Sequence, residues 1–386
     1  MGTPPSWHLI TGEYPPCLGG VSDYTRQLAH ALSVAGEEVH VWTPRSNILS
    51  RDRRVTIHGI HGFGPTGLRQ LSAGLGARAG PKRLFVQYVA PALGFRGINV
   101  PFCLWLADRD DDVWVQFHEV AHEFSFHQPI RHSILALTQW WMAQLVAERA
   151  QRIFVSVPGW RRQLGRHGPR AEVLPIPSNL PDDIAPRDVS LTRARLGTAP
   201  LVGHFGTYGA LVTGLLEPAI LAVLLAVPDV RILLLGRGGP DFAKHLVSIS
   251  PDVETRIVAP GALDATSVAT HLAACDVLMQ PYPDGISGRR TSAMAGLALG
   301  RPVVTTIGHL TEEEWIGSGA VVLTPVGRAE EMADAVARLL AHTSQREALR
   351  ARGRAWYQVH FSIARTVDLL GVSDSSAKVG ECPSAR

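Results

Sequence analysis

The chain has 386 residues, 46% of them apolar and 18% charged, which excludes a disordered or membrane-embedded chain and fits a globular α/β protein. Its 37 Lys and Arg stand against 34 Asp and Glu, a balance too even for a bulk nucleic-acid binder. That length predicts two domains or three, and each half is large enough to bury a core.

Short apolar runs alternate with helical patterns, the signature of βα units around a parallel sheet. Trp7–Thr11 reads as a strand and Gly12–Gly20 as a loop rich in Gly and Pro. Tyr24, Leu28, Ala31, Leu32 and Ala35 recur at helical spacing and predict a helix over Val21–Ala35, closed by Gly36. Further strands are predicted at Val39–Thr43, Leu84–Tyr88, Val113–Phe117 and Arg152–Val155. A long helix covers Ile134–Ala150, and its Trp140 and Trp141 are expected to be packing residues. The basic cluster of Arg161, Arg162, Arg166, His167 and Arg170 reads as a solvated helix face, with a membrane-surface patch as its rival.

Pro175–Pro186 (PIPSNLPDDIAP) reads as an interdomain linker. A second alternating series follows, with strands at Leu201–Phe205, Arg231–Leu235, Thr255–Val258, Val277–Gln280, Pro302–Thr306 and Ala320–Leu323. Helices are predicted at Ser267–Ala274, Ser292–Leu299 and Ala329–Leu340. The apolar run Ala219–Val227, bounded by Pro218 and Pro228, is far short of the ~20 residues a membrane span needs and reads as a buried core helix. Trp356–Leu370 reads as the last helix, and the tail 371–386 is expected to be disordered. Cys17, Cys103, Cys275 and Cys382 form no CxxC pair and no zinc spacing, and MGTPPSWHLI leads straight into a strand, so a cytoplasmic location is expected.

Four segments carry candidate chemistry. Gly19 and Gly20 lie between a strand and a helix, where backbone can approach a ligand and helix N–H groups favour an anion. His118 leaves the C-terminal edge of a strand, where it would point into a crevice; a structural histidine is the plain alternative. Helical spacing would put His118 and His122 on one face near Glu119, Glu123 and His127, but the pattern is H-E-x-x-x-H rather than HExxH, and no metal site is expected. Gly206 and Thr207, in GHFGTYG, would let phosphate or sugar oxygens reach backbone N–H groups. The strongest signal is PYPDGISGRRTS, with Asp284, Gly285, Ser287, Gly288, Arg289, Arg290, Thr291 and Ser292. Its glycines, paired arginines and following helix N-terminus suit a diphosphate, and Thr291 or Ser292 is expected to cap the helix.

The order of these motifs is similar to a known family. The opening GEYPPCLGGVSDYTRQLAHALSVAGEEVHVWTP, and later LLLGRGGP, VAPGALDATSVATHLAACDVLMQPYPDG and SAMAGLALGRPVVTT, resemble the retaining glycosyltransferases of family 4. The resemblance implies the GT-B fold: two Rossmann-like doubly wound α/β domains facing a cleft. On that basis residues 1–181 are expected to form the acceptor domain and 182–355 the nucleotide-sugar donor domain, with the helix 356–370 crossing back to the first. It also implies that Gly19 and Gly20 contact phosphates or acceptor and that His118 contacts the transferred sugar.

The family's Glu-x7-Glu reads here as Asp284-x7-Ser292, and its diphosphate-holding Arg and Lys fall on Thr207 and Thr213. Arg289 and Arg290 are the candidate replacements. The implied reaction is metal-independent glycosyl transfer from a nucleotide-diphosphate sugar, without a cofactor. The acceptor would be a sugar, a lipid-linked or a small molecule. Peripheral contact with a membrane is left open. A degenerate GT-B domain that binds without turnover is the alternative; a Rossmann oxidoreductase lacks the GxGxxG that would open the first helix.

Overall fold

The computed structural model describes residues 4–17, 19–44, 54–122 and 129–372. The expectations placed on Glu123, His127 and the tail beyond 372 lie outside those residues. The chain divides into two compact units, Met1–Pro175 with the chain from Ile363, and Ile176–Ser362. The division falls at the start of the proline-rich stretch, ahead of the 181/182 boundary expected from sequence.

The first unit runs β1 (Ser6–Thr11), α1 (Gly20–Val34), β2 (Val39–Pro44), β3 (Thr56–Ile60), α2 (Pro65–Gly76), β4 (Lys82–Tyr88), α3 (Val100–Ala107), β5 (Asp112–Phe117), α4 (Ile130–Arg149), β6 (Arg152–Val155), α5 (Trp160–Gln163) and β7 (Ala171–Val173). All seven strands are parallel, in the order β3-β2-β1-β4-β5-β6-β7. The central strands are buried on both faces, which is why they read as near-continuous apolar runs such as Leu84-Phe85-Val86. The flanking strands β3 and β7 were not predicted. TIHGI carries a glycine and few large apolar groups, and β7 is only three residues long.

The second unit runs α6 (Pro186–Leu196), β8 (Leu201–Phe205), α7 (Ala210–Ala226), β9 (Arg231–Leu235), α8 (Gly239–Ile249), β10 (Ile257–Val258), α9 (Ala265–Ala273), β11 (Val277–Gln280), α10 (Thr291–Ala298), β12 (Val303–Ile307), α11 (Glu313–Ser318), β13 (Val322–Pro325), α12 (Ala329–Ala341) and α13 (Thr343–His360). Its six strands are again all parallel, in the order β10-β9-β8-β11-β12-β13. Both units are therefore Rossmann-like α/β layers, the GT-B architecture.

Three expectations need correction. Pro218 does not bound a helix but lies inside α7, where Leu216, Ala219, Ile220 and Val223 are buried on either side of it. Packing there outweighs the lost backbone hydrogen bond. The predicted strand 255–258 is only two residues long, because Pro251–Arg256 winds into a 3-10 turn. The predicted last helix 356–370 is two helices. The N–H groups of Phe361 and Ser362 both turn back to Tyr357 O, and α14 (Ile363–Leu369) then starts anew. It belongs to the first unit, where the Arg152 guanidinium donates to Leu369 O at 3.0 Å. Among the described residues no helix is long and apolar enough to cross a membrane.

Candidate active site

In a doubly wound sheet the ligand crevice opens beyond the C-terminal ends of the strands, where the strand order reverses. In the first unit that point lies between β1 and β4. The register sets Thr11 beside Gln87, and Gln87 beside Gln116, so three buried polar side chains line up across the strand ends. The Thr11 hydroxyl donates to Glu13 O at 2.7 Å and turns the chain out of the sheet. Only glycine fits at 12, since a Cβ there would lie 2.2 Å from Ala92 O. Gly19 is the N-cap of α1, and a Cβ on it would meet Glu13 Oε2 at 2.6 Å; Gly20 faces open space. Burial raises the pKa of Glu13, and the Glu119 charge adds to the effect. Nothing in the spacing of Glu13 singles it out, because only the fold brings it under Gly19.

His118 follows β5 directly. Its ring is buried, packs edge-to-face on Tyr24 at 5.3 Å, and has Nε2 2.8 Å from Gln87 Oε1. Gln87 Oε1 can only accept, so Nε2 carries the proton. Burial pushes His118 down to about 3, and the ring is neutral. The Tyr24 hydroxyl donates to Gln116 Oε1 at 2.7 Å and completes the layer. The helical face once expected for His118 and His122 does not form. The chain from 118 to 122 is irregular, and His122 N–H donates to Gln139 Oε1 instead. Among the described residues no group of three or more His, Cys, Asp or Glu is placed to hold a metal ion.

In the second unit the order reverses between β8 and β11. Gly206 N–H donates to Leu235 O, and Tyr208 takes the left-handed region at φ 40°. Gly236, at φ 121°, brings its backbone so close that a Cβ would lie 2.2 Å from Gly206 O. Thr207 is exposed, whereas the Thr213 hydroxyl turns back to Ala210 O at 3.2 Å in the first turn of α7. His204 lies beneath this loop, donates Nδ1–H to Met279 O at 2.9 Å, and is pushed down to about 4 by burial.

The loop after β11 is stapled to the loop after β12. Ile286 N–H donates to Thr306 O at 2.8 Å and Leu310 N–H to Asp284 O at 3.0 Å. Gly285 sits at φ 87°, and a Cβ there would lie 2.3 Å from Gly308 N. The sequence reading treated Asp284 and the two arginines as separate groups; folding joins them. Arg289 Nη2 is 2.5 Å from Asp284 Oδ2, and Arg290 Nη2 pairs with Oδ1 of the same carboxylate. Their side chains are 14%, 32% and 22% exposed for Asp284, Arg289 and Arg290, so the trio carries one net positive charge in a half-sheltered place. The Arg290 guanidinium also stacks over the Tyr282 ring at 4.6 Å. Burial lowers its pKa.

Neither Thr291 nor Ser292 caps α10, contrary to expectation: Arg290 is the N-cap residue and makes no side-chain cap, and the Ser292 hydroxyl is 2.8 Å from the Tyr282 hydroxyl. Ser287 is fully buried with no hydrogen-bond partner for its hydroxyl. Gly288 N–H donates to Glu312 Oε1 at 3.1 Å, and burial raises the Glu312 pKa. Glu312 opens an Glu-Glu-Glu run that looks like a solvated helix start, and only the return of β12 brings it under Gly288.

All of these groups after β8 and β11 lie within residues 202–342, which match the family model "Glycosyl transferases group 1". The second unit carries a glycosyltransferase domain. A comparison with curated proteins finds no match by sequence. Among solved structures, the chain is similar to sucrose-phosphate synthase from Thermosynechococcus elongatus, at 19% identity and TM-score 0.69, over 95% of this chain and 98% of that one. It is similar to Anabaena HepE in complex with UDP, at 16% identity and TM-score 0.69, over 96% and 100%. An α,α-trehalose-phosphate synthase (UDP-forming) from Burkholderia vietnamiensis matches at 14% identity and TM-score 0.68, over 98% and 99%. At such identities the likeness is one of fold.

Proposed function

We propose that the chain is a retaining glycosyltransferase that moves a sugar from a nucleotide-diphosphate sugar to a sugar, lipid-linked or small-molecule acceptor. The observation that carries the reading is the Asp284–Arg289–Arg290 trio, held at a strand-order reversal inside a glycosyltransferase domain. Charge developing on the departing diphosphate is offset by the two arginines and by backbone N–H groups, in place of a metal ion. Thr207 offers its backbone N–H to the donor, while Gly206, Gly285, Gly288 and Thr291, whose N–H groups are bonded within the loops, let the backbone approach the donor closely. Ser287 and Ser292 supply hydroxyls. Gly19 and Gly20 offer backbone N–H groups at the start of α1. Asp284 orients the sugar, and the neutral His118 offers it a hydrogen bond without charge. Cys103 and Cys275 are buried thiols outside any disulfide, which supports the cytoplasmic location proposed here.

A thermal-shift screen with UDP-, GDP-, ADP- and dTDP-sugars tests donor binding, since a ligand at 100 times its Kd stabilises by ~2.7 kcal/mol. The HepE structure that holds UDP makes the UDP-sugars the first to try. No shift with any donor would overturn the reading. Turnover by chelated, dialysed protein tests metal independence; activity restored only by magnesium or manganese would refute it. A binding domain without turnover is the second reading. Its support is that Asp284 is already occupied by two arginines and that threonines stand at 207 and 213. Binding of a donor with no release of nucleoside diphosphate would decide for it.

A further inference from the structure

Helix α4 buries one face and leaves a second apolar face in solvent. Ala136, Gln139, Met142, Ala143, Val146 and Ala147 pack inward. On the far side Ile130 is 81% exposed, Ile134 57%, Leu137 60% and Trp141 45%. These four follow one another at helical spacing in a single line over three turns. Trp140, expected from sequence to be a packing residue like Trp141, flanks the line, and its indole N–H donates to Gln163 O at 2.9 Å. That bond ties the stripe to α5 and the turn after it, where Arg161, Arg162 and Arg166 are exposed. Arg131 is exposed beside the first turn. No Asp or Glu occurs from Pro129 to Ala147, and the first acid, Glu148, is paired with Arg166 at 2.6 Å.

Isolated exposed apolar side chains are ordinary, but a continuous line of them marks a surface that meets something. Tryptophans at the edge of an apolar stripe, arginines alongside and no acid within it describe an interfacial helix on a lipid surface. Parallel β5 and β6 require α4 to run back along the sheet, so its most exposed end, Ile130, lies at the strand-end edge that also carries His118.

We infer that this face binds an anionic bilayer surface, with Ile130, Ile134, Leu137 and Trp141 entering the headgroup boundary and the arginines on lipid phosphates. Binding there brings a lipid-borne acceptor towards the His118 edge, a consequence that rests on the transfer proposed above; the binding itself is measured without turnover.

The test is co-sedimentation of the full chain with phosphatidylcholine vesicles, with and without about a third phosphatidylglycerol. The wild type should bind the anionic vesicles more tightly and release with salt. Ile134→Ser/Leu137→Ser/Trp141→Ser should weaken binding at least ~10-fold. Arg131→Gln/Arg162→Gln should weaken it about 5-fold per charge at low salt. The thermal shift induced by nucleotide should be unchanged in both variants, and a wild type that shows that shift but does not bind vesicles is failure of this inference alone. Absence of wild-type binding to anionic vesicles, or full binding by the triple variant, would overturn it. So would concentration-dependent self-association that the triple variant abolishes and vesicles do not replace.

Discussion

Replacing Asp284 by Asn should move stability and nucleotide affinity in opposite directions. A carboxylate between two guanidinium groups gains about 4 kcal/mol of gross Coulomb energy per contact at an effective dielectric near 20. Exposure of 32% and 22% on the two arginines screens much of that, and removing one partner leaves both cations unopposed. A net loss of about 1–3 kcal/mol follows, which for a unit of this size lowers the melting temperature by about 2–12 °C. The same change frees two guanidinium groups at the strand-order reversal. One charge-assisted hydrogen bond gained by a diphosphate is worth ~1.5–3 kcal/mol, or about 10- to 150-fold. Asp284→Asn should therefore melt lower without ligand, bind UDP or its cognate nucleoside diphosphate more tightly, and lose transfer. Arg289→Gln and Arg290→Gln should bind it more weakly. Differential scanning fluorimetry and calorimetric titration of all three variants against UDP, GDP, ADP and dTDP measure both quantities. If no variant changes affinity while Asp284→Asn still melts low, the trio is a structural staple and the diphosphate is held elsewhere.

Ser287→Ala removes a buried hydroxyl without a partner, so apo stability should hold or rise by up to ~1 kcal/mol while donor affinity falls; denaturant titration and ligand titration report the two. Glu312→Ala strips the acceptor from Gly288 N–H and should cost ~1–3 kcal/mol with weaker donor binding, whereas Glu312→Gln keeps an acceptor oxygen and should hold stability. Gly285→Ala meets both a left-handed backbone and a 2.3 Å approach to Gly308 N, so donor-induced thermal shift should be lost. Burial holds His8 and His118 down to about 3 and His58 to about 4, from 6.5. Below pH ~6.5 the unfolded chain takes up these protons and the native state does not, so stability falls as pH drops, by about 1.4 kcal/mol per pH unit per histidine until each folded pKa is passed. Urea unfolding from pH 7 to 4.5 should show this loss, and His8→Asn should reduce its slope by one proton.

The parallel strands at the centre of both sheets were legible as apolar runs because they are buried on both faces. Short flanking strands such as β7 carry too little apolar surface to signal themselves. Pro218 and the break at Phe361 and Ser362 were misjudged because local rules for proline and for helical periodicity were answered by packing and by backbone bonds to Tyr357. At the candidate site the glycines and the Asp284, Arg289 and Arg290 types stood out by composition alone, since phosphate chemistry calls for them. Their pairing did not: Arg289 comes five positions after Asp284, and a tight turn at Gly285 folds one onto the other. Glu312 and Glu13 were invisible for the same reason. Each gains its role from a backbone group or a charge that only the sheet brings near, Gly288 N–H for one and Glu119 for the other. Residue type and period are local properties of a chain, and they sufficed for strands, helices and candidate ligands. Burial, pairing and protonation depend on neighbours distant in sequence, and only the packed tertiary structure could decide them.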